Sequence, residues 1–316
     1  MGEGMSYLKI VKKLKGLRME AKIITPTVTI FDNNGNIDIE GNKLLIKHLI
    51  DNGVNGAVPL GSSGEFTALF MDEKKKLIKL YVDESKGKLE LIPGTSSLNL
   101  EECIELSNYA ISLGVKGVLI LPPFYYGISQ EEAFHYYDVL AQKIDGNIYI
   151  YNFSARTGFD MSAETTFNLA KKHKNIKGMK DSTANLTHTK EVILKVKEIR
   201  DDFEVYSGFD DHFVPNIIAG GSGCIAAISN FEPKLWSNWV KAINNGNFEE
   251  VKTIGNMIDK LMPLYNVEKN FSHVFKKFLI DDGLNINEYT IFPFEELSDE
   301  DYEFAKNLRT EVMTRR

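Results

Sequence analysis

The chain has 316 residues, 43% hydrophobic and 26% charged, with a formal charge of −7 and two cysteines, a profile that fits a folded globular protein with an ample core. The acidic balance gives no general attraction to nucleic acid or anionic membrane, and no run of 18 apolar residues marks a membrane span. Cys103 and Cys224 stand far apart in apolar contexts, so they read as small core residues in a reducing, cytoplasmic setting rather than as a disulfide.

In chain order, residues 1–20 form an N-terminal extension. Its basic stretch LKIVKKLKGLR (8–18) spaces Leu8, Val11 and Leu14 as a short amphipathic helix, without the long Ser/Arg-rich context of a transit peptide. From residue 21, short β-branched or apolar runs alternate with helical stretches. The runs are AKIITPTVTI (21–30), GAVPLG (56–61), LELIPGT (89–95), GVLILPPF (117–124), NIYIYNF (147–153), IKGMKDS (176–182), FEVYSGF (203–209) and GCIAAISN (223–230). Between them lie groups such as Leu44, Leu45, His48 and Leu49, or Phe167, Leu169 and Ala170. Near-continuous apolar runs mark strands buried on both faces, and helical crossovers make them parallel.

Spacing is near thirty residues for much of the chain, the size of one βα unit. Eight units over residues 21–232 predict an α/β fold of the (β/α)₈ TIM-barrel type, about 250 residues long with its last helix. An open doubly wound sheet also alternates, but the count of eight and the absence of GxGxxG after the first run favour the barrel. Residues 233–316 read as entirely helical (from Pro233 through Trp239, then 247–263, 265–282 and 298–315) and predict the eighth helix plus a C-terminal helical bundle.

Functional groups of such a barrel gather where strands end. The ends here are GSSGE (61–65), PPFYYG (122–127), YNFSARTG (151–158) and KDST (180–183), with AGGSGC (219–224) leading into the eighth strand. Tyr151 and Lys180 are one βα unit apart and so on neighbouring strands. These lie ~4.8 Å apart, which brings a phenol within reach of an amine. A lysine at a strand end can simply extend into water. One desolvated beside a phenol at a barrel mouth is instead suited to nucleophilic chemistry. There is no CxxC or HExxH, so no metal site is expected. DDH (210–212) reads as a helix N-terminus, and AGGSGC lacks the GK[ST] of a P-loop.

GSSGEF, PPFYY, YNFSARTGFD, GMKDS and GFDDH…AGGSGCIAAISNFEP, in this order, resemble the pyruvate-dependent class I aldolases, the family of dihydrodipicolinate synthase, N-acetylneuraminate lyase and 2-keto-3-deoxygluconate aldolase. The resemblance spans roughly residues 20 to 310. It implies that Lys180 forms a Schiff base with a 2-oxo acid, its pKa brought down by an apolar barrel interior. It makes Tyr151 the proton-transferring tyrosine, Ser62 a proton relay and Ser63 a holder of the substrate carboxylate. Ile225 offers backbone contact near that carboxylate, and Gly208 is counted with it as substrate-binding. Tyr125 matches the relay tyrosine that family members donate into a neighbouring subunit, which implies a homo-oligomer, a dimer of dimers.

The resemblance also implies that no cofactor is needed beyond the covalent imine, and that the partners are a small 2-oxo acid and an aldehyde. Within the family, GEF, YNF, GFDDH and SNFEP resemble the sugar-acid aldolases that cleave 2-keto-3-deoxy acids to pyruvate and an aldehyde. Arg156 instead matches the arginine by which dihydrodipicolinate synthases hold the second substrate's carboxylate. Ser154 departs from the usual proline. The main reading is the sugar-acid aldolase, and the alternative is condensation of pyruvate with aspartate semialdehyde. A non-catalytic 2-oxo acid binder would have lost Lys180 or Tyr151, and both are present.

Overall fold

The computed structural model describes residues 20–291, 293–294 and 297–314, so the basic stretch of the expected N-terminal extension lies outside the described residues. Elements follow in the order β1 (Lys22–Pro26), α1 (Ile39–Asp51), β2 (Gly56–Val58), α2 (Met71–Ser85), β3 (Glu90–Leu91), α3 (Leu100–Ser112), β4 (Val118–Ile120) and α4 (Gln130–Lys143). They continue with β5 (Ile148–Asn152), α5 (Ser154–Thr157), α6 (Ala163–Lys172), β6 (Ile176–Asp181), α7 (Leu186–Lys197), β7 (Glu204–Ser207), α8 (Phe213–Ile218) and β8 (Gly223–Ile225). All eight apolar runs contain a strand, each shorter than its run.

The strands form one parallel sheet in the order β3-β2-β1-β8-β7-β6-β5-β4. The sheet curls until its outer strands meet. Lys116 N donates to Leu91 O at 3.0 Å, Leu119 N to Pro93 O at 2.9 Å and Thr95 N to Leu119 O at 3.0 Å, with Gly94 bridging Leu119 in parallel. This is a TIM-barrel-like α/β fold. Helix starts follow local chemistry: Asp38, Asn99, Ser129, Ser162, Asn185 and Asn247 each accept a first-turn amide, satisfying donors that have no partner within the helix.

After β8 come α9 (Pro233–Asn245), α10 (Phe248–Leu261), a 3₁₀ segment (Met262–Asn266), α11 (Ser272–Asp281) and α12 (Asp299–Thr314). The expectation of a wholly helical C-terminal part fails in two places. The 265–282 stretch breaks into the 3₁₀ turn and α11, and residues 283–291 run as irregular chain after Gly283, whose φ is 91°. α12 returns along α10 and is anchored by Arg309, which pairs with Glu232 at 2.8 Å and Asp282 at 2.7 Å.

The lumen also departs from the apolar interior expected around Lys180. At its base Lys116 lies 2.6 Å from Glu90 and 2.9 Å from Glu204, Lys22 reaches Glu90, and Tyr149 and Tyr206 donate to Glu204. Gly178 makes room for this tier, because a Cβ there would meet the Tyr149 ring at 2.7 Å and Glu204 O at 2.3 Å.

Period-two alternation along β6 assigns the faces. Lys180 points into the lumen, while Met179 and Asp181 point at the helices. Asp181 is fully buried; it accepts from Asn152 Nδ2 at 2.8 Å and Thr189 Oγ1 at 2.6 Å, and faces His188 Nδ1 at 2.9 Å. His188 Nε2 meets Met161 O at 2.8 Å, so both ring nitrogens face oxygens and the imidazolium satisfies both. The Asp181 hydrogen bond, against some burial, pushes the His188 pKa up to about 9 from 6.5. A raised folded-state pKa stabilises fully below the unfolded value and is lost as pH rises through the folded one. His188→Gln should therefore lower the unfolding free energy by on the order of 1–2 kcal/mol at mildly acidic pH. The deficit should shrink steadily between pH 6.5 and about 9, as read by urea titration across that range.

Candidate active site

In the pairing of β5 with β6, Tyr151 stands opposite Lys180. The Lys180 ammonium donates to the Tyr151 hydroxyl at 3.1 Å and lies 4.3 Å from the ring centroid. Both are nearly buried, at 5% and 3% exposure. Ser62 Oγ is 3.5 Å from the same hydroxyl. Burial pushes the Tyr151 phenol up, but the adjacent Lys180 charge and hydrogen bonds with Ser62, Lys180 and Ser182 outweigh it and leave the phenol lowered. A phenol so placed gives up its proton more readily than free tyrosine.

These groups line a cavity of ≈ 490 Å³ together with Ser63, Arg156, Gly208 and Ile225. Seven of the eight positions read from the sequence thus share one space. Gly208 has a steric reason: a Cβ would come within 1.9 Å of Ser182 Oγ. Arg156 sits on α5, the one-turn helix that Ser154 opens where a proline was expected. Gly158 closes it in the left-handed region (φ 70°), with Gly158 N donating to Ser154 O at 2.9 Å. Tyr125 is the eighth position and does not line the cavity. It is 84% exposed on the β4–α4 loop with φ 93°, its ring edge-on to Tyr126 at 5.1 Å.

Several cavity residues escaped the sequence reading. Asp210, at 1% exposure, is the chief one. DDH does sit at a helix start, as a 3₁₀ turn running into α8, but none of its side chains caps that helix. Instead the Tyr265 hydroxyl donates to Asp210 Oδ2 at 2.6 Å while accepting from Ala227 N and Ile228 N at 3.1 and 3.2 Å. Asp210 Oδ1, also buried, has no hydrogen-bond partner among the described residues. Burial pushes this carboxyl up to about 7 against the Tyr265 bond. Asp259, Met262, Pro263, Tyr265, Asn266 and Phe271 complete the walls, so the segment after α9 roofs the barrel mouth. Among the described residues no group of three or more His, Cys, Asp or Glu is arranged to hold a metal ion.

A buried lysine–tyrosine pair with a serine hydroxyl beside it, at the mouth of a parallel barrel, is an arrangement suited to imine chemistry. Residues 19–311 match the model of the dihydrodipicolinate synthetase family. The chain belongs to that family. Members of the dihydrodipicolinate synthetase family are pyruvate-dependent lyases and synthases, and this chain is an enzyme of that kind. YagE of Escherichia coli K12, provisionally named a 2-dehydro-3-deoxy-D-gluconate aldolase, is 31% identical over 277 residues, 88% of this chain and 92% of that one. The 4-hydroxy-tetrahydrodipicolinate synthase of Methanococcus aeolicus is 35% identical over 248 residues, covering 78% and 83%. The crystal structure of YagE in complex with pyruvate superposes with a TM-score of 0.90 at 30% identity, covering 93% of this chain and 98% of that one.

Tyr151→Phe removes only the hydroxyl from a well-packed ring. Turnover should fall by about 10²–10⁴, the usual scale for an acid–base group, with the thermal midpoint nearly unchanged. A loss under about threefold would leave Tyr151 a packing residue.

Proposed function

We propose that the protein is a Schiff-base aldolase that reversibly cleaves a 2-keto-3-deoxy sugar acid to pyruvate and an aldehyde. The observation that carries this reading is the 3.1 Å contact between Lys180 Nζ and the Tyr151 hydroxyl, held opposite each other in one cavity. The Lys180 amine in its free form attacks the ketone carbon, and Tyr151 protonates the oxygen that leaves as water. In the resulting iminium, Tyr151 takes the proton of the C4 hydroxyl and the C3–C4 bond breaks. Its electron pair flows into the iminium to give an enamine. Protonation at C3 and addition of water release pyruvate and return the amine. Ser62 relays protons to Tyr151; Ser63, Gly208 and the Ile225 backbone hold the 2-oxo acid end. The iminium is the electron sink, so no cofactor is required.

Asp210 supports the sugar-acid reading: its unpartnered Oδ1 suits a substrate hydroxyl, since a buried acceptor without a donor is costly. Arg156 in the same cavity favours the second reading, condensation with aspartate semialdehyde, because a guanidinium fork matches a carboxylate. The exposure of Tyr125 supports its donation to a neighbouring subunit of a homo-oligomer built as a dimer of dimers. The division into an extension (1–20), a barrel core (21–232) and an eighth helix with a C-terminal bundle (233–316) belongs to the same proposal, as does a cytoplasmic location.

The test is a panel of pyruvate with glyceraldehyde, glycolaldehyde, N-acetylmannosamine and aspartate semialdehyde. The proposal expects a hydroxyaldehyde to lead the semialdehyde by at least about tenfold in kcat/KM. The reverse order, with Arg156→Ala abolishing semialdehyde condensation, would establish the synthase reading instead.

A further inference from the structure

The turn that carries Ser62 and Ser63 is flanked by two non-glycine residues in the left-handed region, Leu60 (φ 61°) and Glu65 (φ 55°). Side chains with a Cβ avoid that region and stay there only where the surroundings hold them. Glu65 is held by a buried constellation. Its carboxylate accepts from Lys276 Nζ at 2.8 Å, Ile291 N at 2.9 Å and Asn270 Nδ2 at 3.3 Å. Lys276 is fully buried on α11 and also donates to Tyr289 O at 2.7 Å. One turn earlier on that helix, Ser272 Oγ donates to Ser63 O at 2.8 Å. From the barrel side, Thr29 Oγ1 donates to Gly64 O at 2.8 Å.

No step of the proposed chemistry uses Glu65 or Lys276, yet a charged pair is retained at a buried site more than two hundred residues apart in sequence. Removing two charges from water is costly, and such a pair is weak evidence for stability alone. A packed apolar pair would join the same surfaces. What the ionic pair adds is a fixed geometry: Glu65 accepts from three segments, which an apolar side chain cannot do.

We infer that Glu65, Lys276 and Ser272 are positioning residues, a latch by which the C-terminal helices set the Ser62–Ser63 turn in the geometry that binds the substrate carboxylate and relays protons to Tyr151. This rests on the 2-oxo acid reading of the cavity. Loss of the latch lets the turn relax from its strained backbone, so carboxylate binding weakens while the Lys180–Tyr151 pair, on strands the latch does not touch, stays in place.

Three variants test it: Ser272→Ala, which deletes one neutral hydrogen bond and keeps the ion pair; Glu65→Gln; and Glu65→Gln/Lys276→Met, which leaves no unpaired buried charge. Leu140→Ala in α4, buried far from the latch, is the control for destabilisation alone. Hydrogen exchange should accelerate in the peptide covering 60–66 of every latch variant, with 148–152 and 176–181 unchanged. KM for pyruvate should rise about threefold in Ser272→Ala and about tenfold or more in the other two, with kcat falling by a smaller factor as the Ser62 relay is displaced from an undisturbed Lys180–Tyr151 pair. Leu140→Ala should leave KM unmoved. Unchanged exchange at 60–66 overturns the latch whatever the substrate is, and Ser272→Ala supplies that answer even if the charge variants do not fold. Faster exchange with KM within about twofold of the parent overturns the positioning role. A parent enzyme that binds no pyruvate sinks the functional reading instead, and exchange still judges the latch.

Discussion

The register between β5 and β6 is the constraint on which the site depends. With Tyr151 opposite Lys180 and Asn152 opposite Asp181, the first pair faces the lumen and the next pair faces the helices. A slip of a single residue would turn Lys180 into the helical layer and bring Met179 or Asp181 inward. The pairing is secured from behind, where Asn152, Thr189 and His188 converge on the Asp181 carboxylate. The Lys180–Tyr151 pair in front is therefore positioned by a polar network that does not line the cavity. Buried polar groups that are fully satisfied specify one arrangement more sharply than apolar packing does.

Polarity is layered along the barrel axis. At the base, Lys22, Lys116, Glu90 and Glu204 neutralise one another, filling a tier that would otherwise be apolar. At the mouth, the lysine has a phenol as its hydrogen-bond partner and a cavity beside it. Above both, the segment from α10 to α11 contributes Asp259, Tyr265 and Phe271 to the walls. The Lys180–Tyr151 pair comes from the barrel, whereas much of the cavity's upper wall comes from the helices that follow it. Variation there can reshape the cavity without disturbing the Lys180–Tyr151 pair.

Much of this was legible in the residues. Eight apolar runs at βα spacing gave a parallel barrel, and motifs at the strand ends located seven of the eight site positions in one cavity. Strand lengths were overestimated because the runs stay apolar past their last ladder pairing, as at Pro59–Leu60 after β2, where the chain has already turned and Leu60 has a φ of 61°. Asp210 was misread because a carboxylate at a helix start is ordinarily a cap; what redirects it is Tyr265, distant in sequence, whose approach no local pattern announces. The Glu65–Lys276 pair was invisible for the same reason. The charged lumen was missed because Lys22, Glu90, Lys116 and Glu204 flank or begin apolar runs, where a charge looks like a solvated strand edge. Gly283 was a readable stop signal, and the helical stretch read as 265–282 ends just before it, within a residue of the observed end of α11.

The central claim is that Lys180 is the residue that bonds to substrate, and the most direct measurement is borohydride trapping with pyruvate followed by peptide mass analysis. Reduction should fix the pyruvate-derived mass on the peptide containing Lys180 and leave every other lysine unmodified, with no trapping in Lys180→Ala. Mass on a different lysine, or none on any peptide of a folded and pyruvate-saturated protein, would contradict the account.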